Sequence, residues 1–217
     1  MAPQRKQGTT CATQGGTVDD GTLCLQPTAN PGVVGRGCSP GGQPIKFAAL
    51  WANYPDTHPC VTAEGDDPEG YKNQCAIKVS YALEKAGVSL KSFQGRVCPN
   101  LYSHGSLWPI SAEQLAAWLK KQPFCGCPRP EDVTGEDYET KIKRFTGIIY
   151  YRDYWLRPDE KKNPTGDHID LWNGSRLTAS GFAGTIATFL RFGVGIQSGP
   201  GFSDLRKARE ILFWNIP

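Results

Sequence analysis

Apolar residues recur at helical spacing in three stretches up to Lys121, and at strand spacing in three stretches after it. In Ile45 to Tyr54, Phe47, Leu50 and Trp51 line one face of a first helix. In Lys72 to Gly87, Cys75, Val79, Ala82, Leu83 and Ala86 form the stripe of a short amphipathic helix, with Asn73 as expected N-cap and Gly87 as C′ residue. In Ile110 to Lys121 the stripe is Leu115, Trp118 and Leu119, and Ser111 with Gln114 forms a capping-box pattern. The period then changes. Phe145 to Tyr151 is β-branched and aromatic and predicts a central strand. Asp167 to Trp172 alternates, and Asn173-Gly174 after it predicts a two-residue hairpin turn into Ser175 to Thr178. A short polar helix around Ser203 to Arg209 and an apolar strand, Glu210 to Ile216, close the chain. Helices first and strands later predict an α+β fold, with helices packed on an antiparallel sheet.

The remaining stretches set the organisation. Residues 1–44 are rich in Gly, Pro, Thr and Gln, lack periodicity, and read as an irregular extension ordered only if Cys11, Cys24 and Cys38 tie it down; residues 45–217 read as one domain. Polar connections run from Asp56 to Gly70 and from Pro158 to Gly166, and a loop runs from Phe93 to Pro109. At 217 residues, 39% hydrophobic and 21% charged, the chain is long enough for one sizeable core. No apolar run approaches the roughly 20 residues that span a bilayer, so membrane insertion is not expected. Met1 to Gln7 carries basic residues with no apolar region after them, and export by a Sec-type signal is not expected either.

The net charge of +3 comes from 24 basic and 21 acidic residues scattered along the chain. No basic run marks a nucleic-acid partner. Eight cysteines are many for a cytosolic protein of this size and predict disulfides. Cys125-Gly126-Cys127 is too tight for a zinc knuckle, and with three histidines in all no metal or other cofactor is expected. If Cys75 is free, at least one more cysteine is unpaired or bridges two chains.

The candidate chemistry begins at Cys75. A helix N-terminus offers free N–H groups and a partial positive charge, which favour a thiolate and can bind a developing oxyanion. The bland alternative is a small buried residue or half of a disulfide. Alternation on the Asp167 to Trp172 strand places Ile169 and Leu171 on the core face and His168, Asp170 and Trp172 on the other. His58 precedes a proline and His104 sits in a Ser/Gly loop; His168 is therefore the candidate base, against the alternative of an ordinary surface histidine.

The segments Asn73 to Leu83, Thr146 to Ile149, Gly166 to Ser175 and Leu212 to Ile216 resemble the signature blocks of the type VI secretion amidase effectors, family four. The resemblance covers roughly residues 46–217. It implies a papain-like (NlpC-type) cysteine peptidase fold, a cysteine amidase that cuts the γ-D-glutamyl-meso-diaminopimelate bond of peptidoglycan stem peptides, and a toxin delivered by a type VI secretion component into the periplasm of a target bacterium. It also implies a cognate immunity protein. By position, Cys75 matches the family nucleophile and His168 the family base.

The third catalytic group departs from the family pattern. With Asn173-Gly174 as a two-residue turn, Trp172 pairs with Ser175, Asp170 with Leu177 and His168 with Ala179, where the family often has an aspartate. Asp170 is the replacement candidate, although at about 7 Å of Cα separation its carboxylate must lean back to reach the ring. Asp167 and Asn173 stay open, as does a Cys-His dyad. Tyr71, Trp172 and the N–H of Cys75 are candidates for the cleft and oxyanion site. Two competing readings are a disulfide-stapled binding protein with Cys75 oxidised, and a related enzyme acting on a different amide.

Overall fold

The computed structural model describes residues 38, 43–71, 73–155, 165–178 and 205–217, all within a unit that runs from Gly32 to Pro217. Most of the N-terminal extension with Cys11 and Cys24, the connection over 156–164, Ala179 and the start of the polar helix at Ser203 lie outside the described residues. Among the described residues no helix is long and apolar enough to cross a membrane.

The helices are α1 (Phe47–Ala52), α2 (Cys75–Lys85), α3 (Asn100–Ser103), α4 (Ala112–Leu119) and α5 (Tyr138–Ile142). The strands are β1 (Glu131–Asp132), β2 (Gly147–Trp155), β3 (Gly166–Trp172) and β4 (Glu210–Asn215), with a 3₁₀ turn at Leu205–Lys207. All strand pairs are antiparallel, in the order β1-β4-β2-β3. The three helices expected up to Lys121 and each expected long strand are present, within a few residues of their expected ends; of the polar helix expected around Ser203 to Arg209, the described residues form only the 3₁₀ turn. The short elements α3, β1 and α5 have too few residues to show a period.

Both faces of the sheet are covered. Ile148, Tyr150, Ile169, Leu171, Leu212 and Trp214 share one core cluster with Leu50, Ile77, Val79, Leu83, Leu115 and Leu119. Ile149, Tyr151, Trp172, Ile211 and Phe213 face a second cluster with Tyr138, Ile142 and Leu205. The strand face carrying His168, Asp170 and Trp172 is therefore not a half-exposed surface. α2 is likewise more than an amphipathic cover. It packs against α1, α4 and β3, and Ala76, Ile77, Lys78, Val79, Ser80, Ala82 and Leu83 are all buried.

Local signals explain how these elements end. Gly87, at φ 92°, follows α2 as expected; the Gly87 N–H donates to the Glu84 carbonyl and the Val88 N–H to the Leu83 carbonyl, the paired bonds of a Schellman stop. Ser111 caps α4 by accepting from the Gln114 N–H at 3.3 Å. The reciprocal half of the expected capping box is absent, because the Gln114 side chain accepts from the Arg96 N–H instead. At Gly147 any Cβ would lie 1.9 Å from the Trp214 carbonyl oxygen, so the close β2–β4 approach requires glycine.

The hairpin after β3 differs from expectation. Trp172 bridges to Leu177, not Ser175, and the Thr178 N–H donates to the Leu171 carbonyl. The loop is four residues, Asn173 to Arg176. Asn173 Oδ1 accepts from the Ser175 N–H, the Ser175 hydroxyl and the Arg176 N–H. That asparagine-centred turn displaces the two-residue turn that Asn-Gly favours. The pairing of His168 with Ala179 rested on the shorter turn.

Two disulfides join distant segments, Cys38 to Cys125 and Cys60 to Cys98. Among the described cysteines, Cys75 and Cys127 are free thiols.

Candidate active site

Cys75 is the first residue of α2, and Gln74, not Asn73, is the N-cap. The Gln74 carbonyl accepts from the Lys78 N–H at 2.9 Å. Its carboxamide is buried and turned away from the helix, toward the preceding loop. There Oε1 accepts from the Cys60 N–H at 3.0 Å, and Nε2 donates to the Cys60 carbonyl at 2.7 Å and to Asp67 Oδ1 at 3.2 Å. Asn73 Oδ1 accepts from the Cys75 N–H in a long contact of 3.4 Å. Among the described residues, no side chain caps the N2 or N3 amides of α2. The half-buried Cys75 thiol thus sits at an uncapped helix N-terminus with donors beside it.

β3 brings His168 to this thiol. The His168 side chain is 23% exposed and lies close enough to the Cys75 side chain for the two to interact. On its other side Nε2 lies 3.4 Å from Asp170 Oδ2. With Nε2 turned to the carboxylate, Nδ1 is the ring nitrogen left for sulfur. Aromatic rings from β2 hold the imidazole: Tyr151 stacks on it at 6.2 Å between centroids, and Tyr154 meets it edge-on at 6.3 Å. Burial pushes the imidazole pKa down, but the Asp170 carboxylate and the Cys75 side chain outweigh it. The result lies well above the ordinary histidine value.

Asp170 is 4% exposed. Burial raises its pKa against the opposing effects of the His168 bond and charge, the Leu171 N–H and the Tyr54 hydroxyl. Oδ1 accepts from the Leu171 N–H at 2.8 Å and from the Thr178 hydroxyl. These bonds lean the carboxylate back along the strand toward His168. Tyr54, just beyond α1, and Thr178, after the hairpin, carried no signal in the sequence pattern: each is a lone hydroxyl whose partner depends on tertiary placement. Lys78, one turn along α2 from Cys75, is also buried beside this group.

The other candidates separate. Asp167 Oδ1 accepts from the Asp153 N–H at 3.0 Å, and Asn173 is committed to its turn. Tyr71 is partly buried against the first core cluster, as is Cys75. Trp172 lies in the second cluster and donates its indole N–H to the Ile142 carbonyl at 3.0 Å, a packing role. Among the described residues there is no grouping of three or more His, Cys, Asp or Glu that could hold a metal ion. A thiol beside an imidazole that faces a buried carboxylate can pass a proton from sulfur to the ring.

The family model of the type VI secretion system amidase effector protein 4, Tae4, matches residues 71–214. The chain belongs to the Tae4 family. Its fold is similar to that of the Tae4 effector from Enterobacter cloacae, with 17% identity and a TM-score of 0.50 over 81% of this chain and 98% of that one. It is equally similar to Tae4 in the effector–immunity complex Tae4–Tai4 from Salmonella Typhimurium, with 14% identity and a TM-score of 0.50 over 81% and 100%. At these identities the likeness speaks for the fold, the α+β, papain-like class expected from the sequence. No curated protein matches the chain in sequence. Membership of the Tae4 family makes the chain an amidase effector, a hydrolase exported by the type VI route. The matched Tae4 segment contains Cys75, His168 and Asp170.

Proposed function

We propose that the protein is a cysteine amidase that cleaves the γ-D-glutamyl-meso-diaminopimelate bond of peptidoglycan stem peptides, with Cys75 as nucleophile, His168 as general base and acid, and Asp170 as its orienting carboxylate. One observation carries the reading: His168 faces Asp170, 3.4 Å away, and lies within electrostatic reach of the Cys75 side chain at the start of α2. The raised pKa of the imidazole favours its protonated form. The thiolate attacks the amide carbonyl, and N–H groups at the start of α2 bind the oxyanion. His168 gives its proton to the departing amine, leaving a thioester. Water, deprotonated by the imidazole, then hydrolyses the acyl-enzyme and restores the thiol pair.

The free Cys75 thiol speaks against the alternative of a stapled binding protein in which that cysteine is oxidised. Family membership supports a periplasmic site of action in a target bacterium, and a structurally similar Tae4 is bound to Tai4, which supports a cognate immunity protein for this chain. In this reading residues 1–44 form an irregular N-terminal extension, bonded to the domain through Cys38 and Cys125, and 45–217 the amidase domain. The test compares the protein with its Cys75→Ala variant on isolated sacculi. Release of muropeptides with a new free diaminopimelate amine by the parent alone is expected. Equal release by both sinks the nucleophile assignment, and a parent active only on other amides reassigns the substrate.

A further inference from the structure

β2 and β3 pair in register from Gly147 with Trp172 to Tyr151 with His168, and meet again at Trp155 with Gly166. Arg152, Asp153 and Tyr154 therefore stand opposite Asp167 alone, a bulge in an otherwise regular ladder. In an uninterrupted strand Tyr151 and Tyr154 would point to opposite faces of the sheet, because successive side chains alternate. Here both rings reach the same imidazole: Tyr151 lies 6.2 Å from that of His168 and Tyr154 6.3 Å, and the two tyrosine rings are 6.3 Å apart. The bulge is what returns Tyr154 to the face of the histidine. Its centre is Asp153, whose φ of 51° is left-handed, a conformation that costs free energy in a residue with a side chain. Such a bulge persists only where its surroundings hold it. The Asp153 N–H donates to Asp167 Oδ1 at 3.0 Å, and the Arg152 carbonyl accepts from the Arg209 N–H at 2.9 Å. The Asp153 carboxylate meets the guanidinium groups of Arg152 and Arg209 at 3.7 and 3.5 Å, long contacts near solvent that hold it weakly.

We propose that Asp167 is a positioning residue of the amidase centre: its carboxylate pins the bulge of β2, and the bulge sets Tyr154 against the edge of the His168 ring. The inference rests on the reading of Cys75 and His168 given above. Asp167 acts here on the base through the neighbouring backbone, not as the acid that orients a ring nitrogen. The imidazole has a reason to need a further restraint. Tyr151 is stacked on it at 26° between planes, and is itself buried with its hydroxyl 3.2 Å from that of Tyr138. A stacked ring limits tilting, but leaves the imidazole free to slide and turn in its own plane. The contact that fixes it in that plane, 3.4 Å from Nε2 to Asp170 Oδ2, is long for a hydrogen bond. Tyr154 approaches at 61° between planes and closes the edge that Tyr151 leaves open. Small displacements of a group that must exchange a proton with sulfur and with the leaving amine are costly in rate.

The experiment measures kcat and KM separately for the full chain on the peptide L-alanyl-γ-D-glutamyl-meso-diaminopimelate, together with the ring-proton NMR signals of His168, identified by their loss in His168→Gln. Asp167→Ala removes the acceptor for the Asp153 N–H, whereas Asp167→Asn keeps an oxygen there; Tyr154→Ala removes the ring, whereas Tyr154→Phe keeps it. Each alanine variant is expected to lower kcat about tenfold with KM within about twofold, and to move the His168 signals as the ring current of Tyr154 is lost or displaced. The asparagine and phenylalanine variants should keep the parental values. Because Asp167 acts through Tyr154, the double alanine variant should lose no more than the worse single one. Parental kcat in Asp167→Ala, losses that multiply in the double variant, or a loss that leaves the His168 signals in place overturns the proposal. If Asp167→Ala fails to fold, Asp167→Ser, which also lacks an oxygen at the Oδ1 position, serves for the same comparison. Activity surviving in Cys75→Ala would instead overturn the underlying assignment of the centre, a result distinct from any outcome at Asp167 or Tyr154.

Discussion

His168 Nε2 and Asp170 Oδ2 lie 3.4 Å apart although the two residues are next-but-one neighbours on the same face of one strand. Side chains in that relationship normally stand parallel and do not meet. Here the Leu171 N–H and the Thr178 hydroxyl hold the carboxylate by its other oxygen and tilt it along the strand. If Asp170 orients the imidazole, Asp170→Asn removes the charge with little change in shape and lowers kcat by about 10²-fold or more, within the range of acid–base assistance. Thr178→Val, which removes one bond to the carboxylate, lowers it by about tenfold. The measurement is muropeptide release under saturating substrate, with Tm as control. Full activity in Asp170→Asn would leave Cys75 and His168 as a dyad.

The raised pKa of His168 makes stability depend on pH. In the unfolded chain the imidazole titrates near 6.5; in the folded protein it does so well above that value, held by Asp170 and Cys75 against burial. The folded state therefore binds the proton more tightly. Its contribution to stability is complete below about pH 6.5 and is lost as pH rises through the folded-state pKa. Urea midpoints measured from pH 6 upward should fall more steeply for the parent than for His168→Gln. Identical slopes would show that the imidazole is not held protonated.

Two free thiols in the described chain should react very differently. Cys75 is half-buried at a helix N-terminus, whereas Cys127 is fully buried, and that burial pushes its thiol up to about 12. Under native conditions at neutral pH, iodoacetamide should modify Cys75 and leave Cys127 untouched until the protein is unfolded. Peptide mapping by mass spectrometry reads both sites. Early labelling of Cys127 would show that the loop after α4 opens readily.

The helices, the long strands and the placement of Cys75 at a helix start were legible because each rests on a local pattern: a 3.6-residue stripe, a β-branched run, a thiol one residue inside a helix. The orienting group was not, because it depends on the hairpin register. Asn173-Gly174 is a strong local signal for a two-residue turn, but the Asn173 side chain accepts three hydrogen bonds and closes a four-residue loop instead. A register inferred from the turn alone was two residues out, and with it the neighbour expected for His168. Tyr54 and Lys78 were hidden for another reason. Lys78 lies off the apolar stripe of α2 and reads as solvated, yet α2 is covered on nearly every side, so its polar positions also face neighbours. Trp172 shows the converse: alternation correctly grouped it with His168, but that face carries a second core.

The disulfide between Cys60 and Cys98 is coupled to the start of α2 through one side chain. Gln74, the residue before Cys75, bonds both the N–H and the carbonyl of Cys60, and Cys60 is tied to the loop at Cys98, 38 residues away in sequence. Removing the bridge with Cys60→Ser and Cys98→Ser should lower stability by about 4 kcal/mol on the loop-entropy account. Gln74→Ala keeps the bridge but leaves the Cys60 N–H and carbonyl without the carboxamide, a cost of about 2 kcal/mol. If the Gln74 carboxamide transmits the position of the Cys60 loop to the nucleophile, both variants should lose muropeptide-releasing activity at temperatures where circular dichroism shows them folded. Stability lost with activity intact would mean that the bridge only staples the loop, and that the start of α2 is fixed by its packing against α1 and β3.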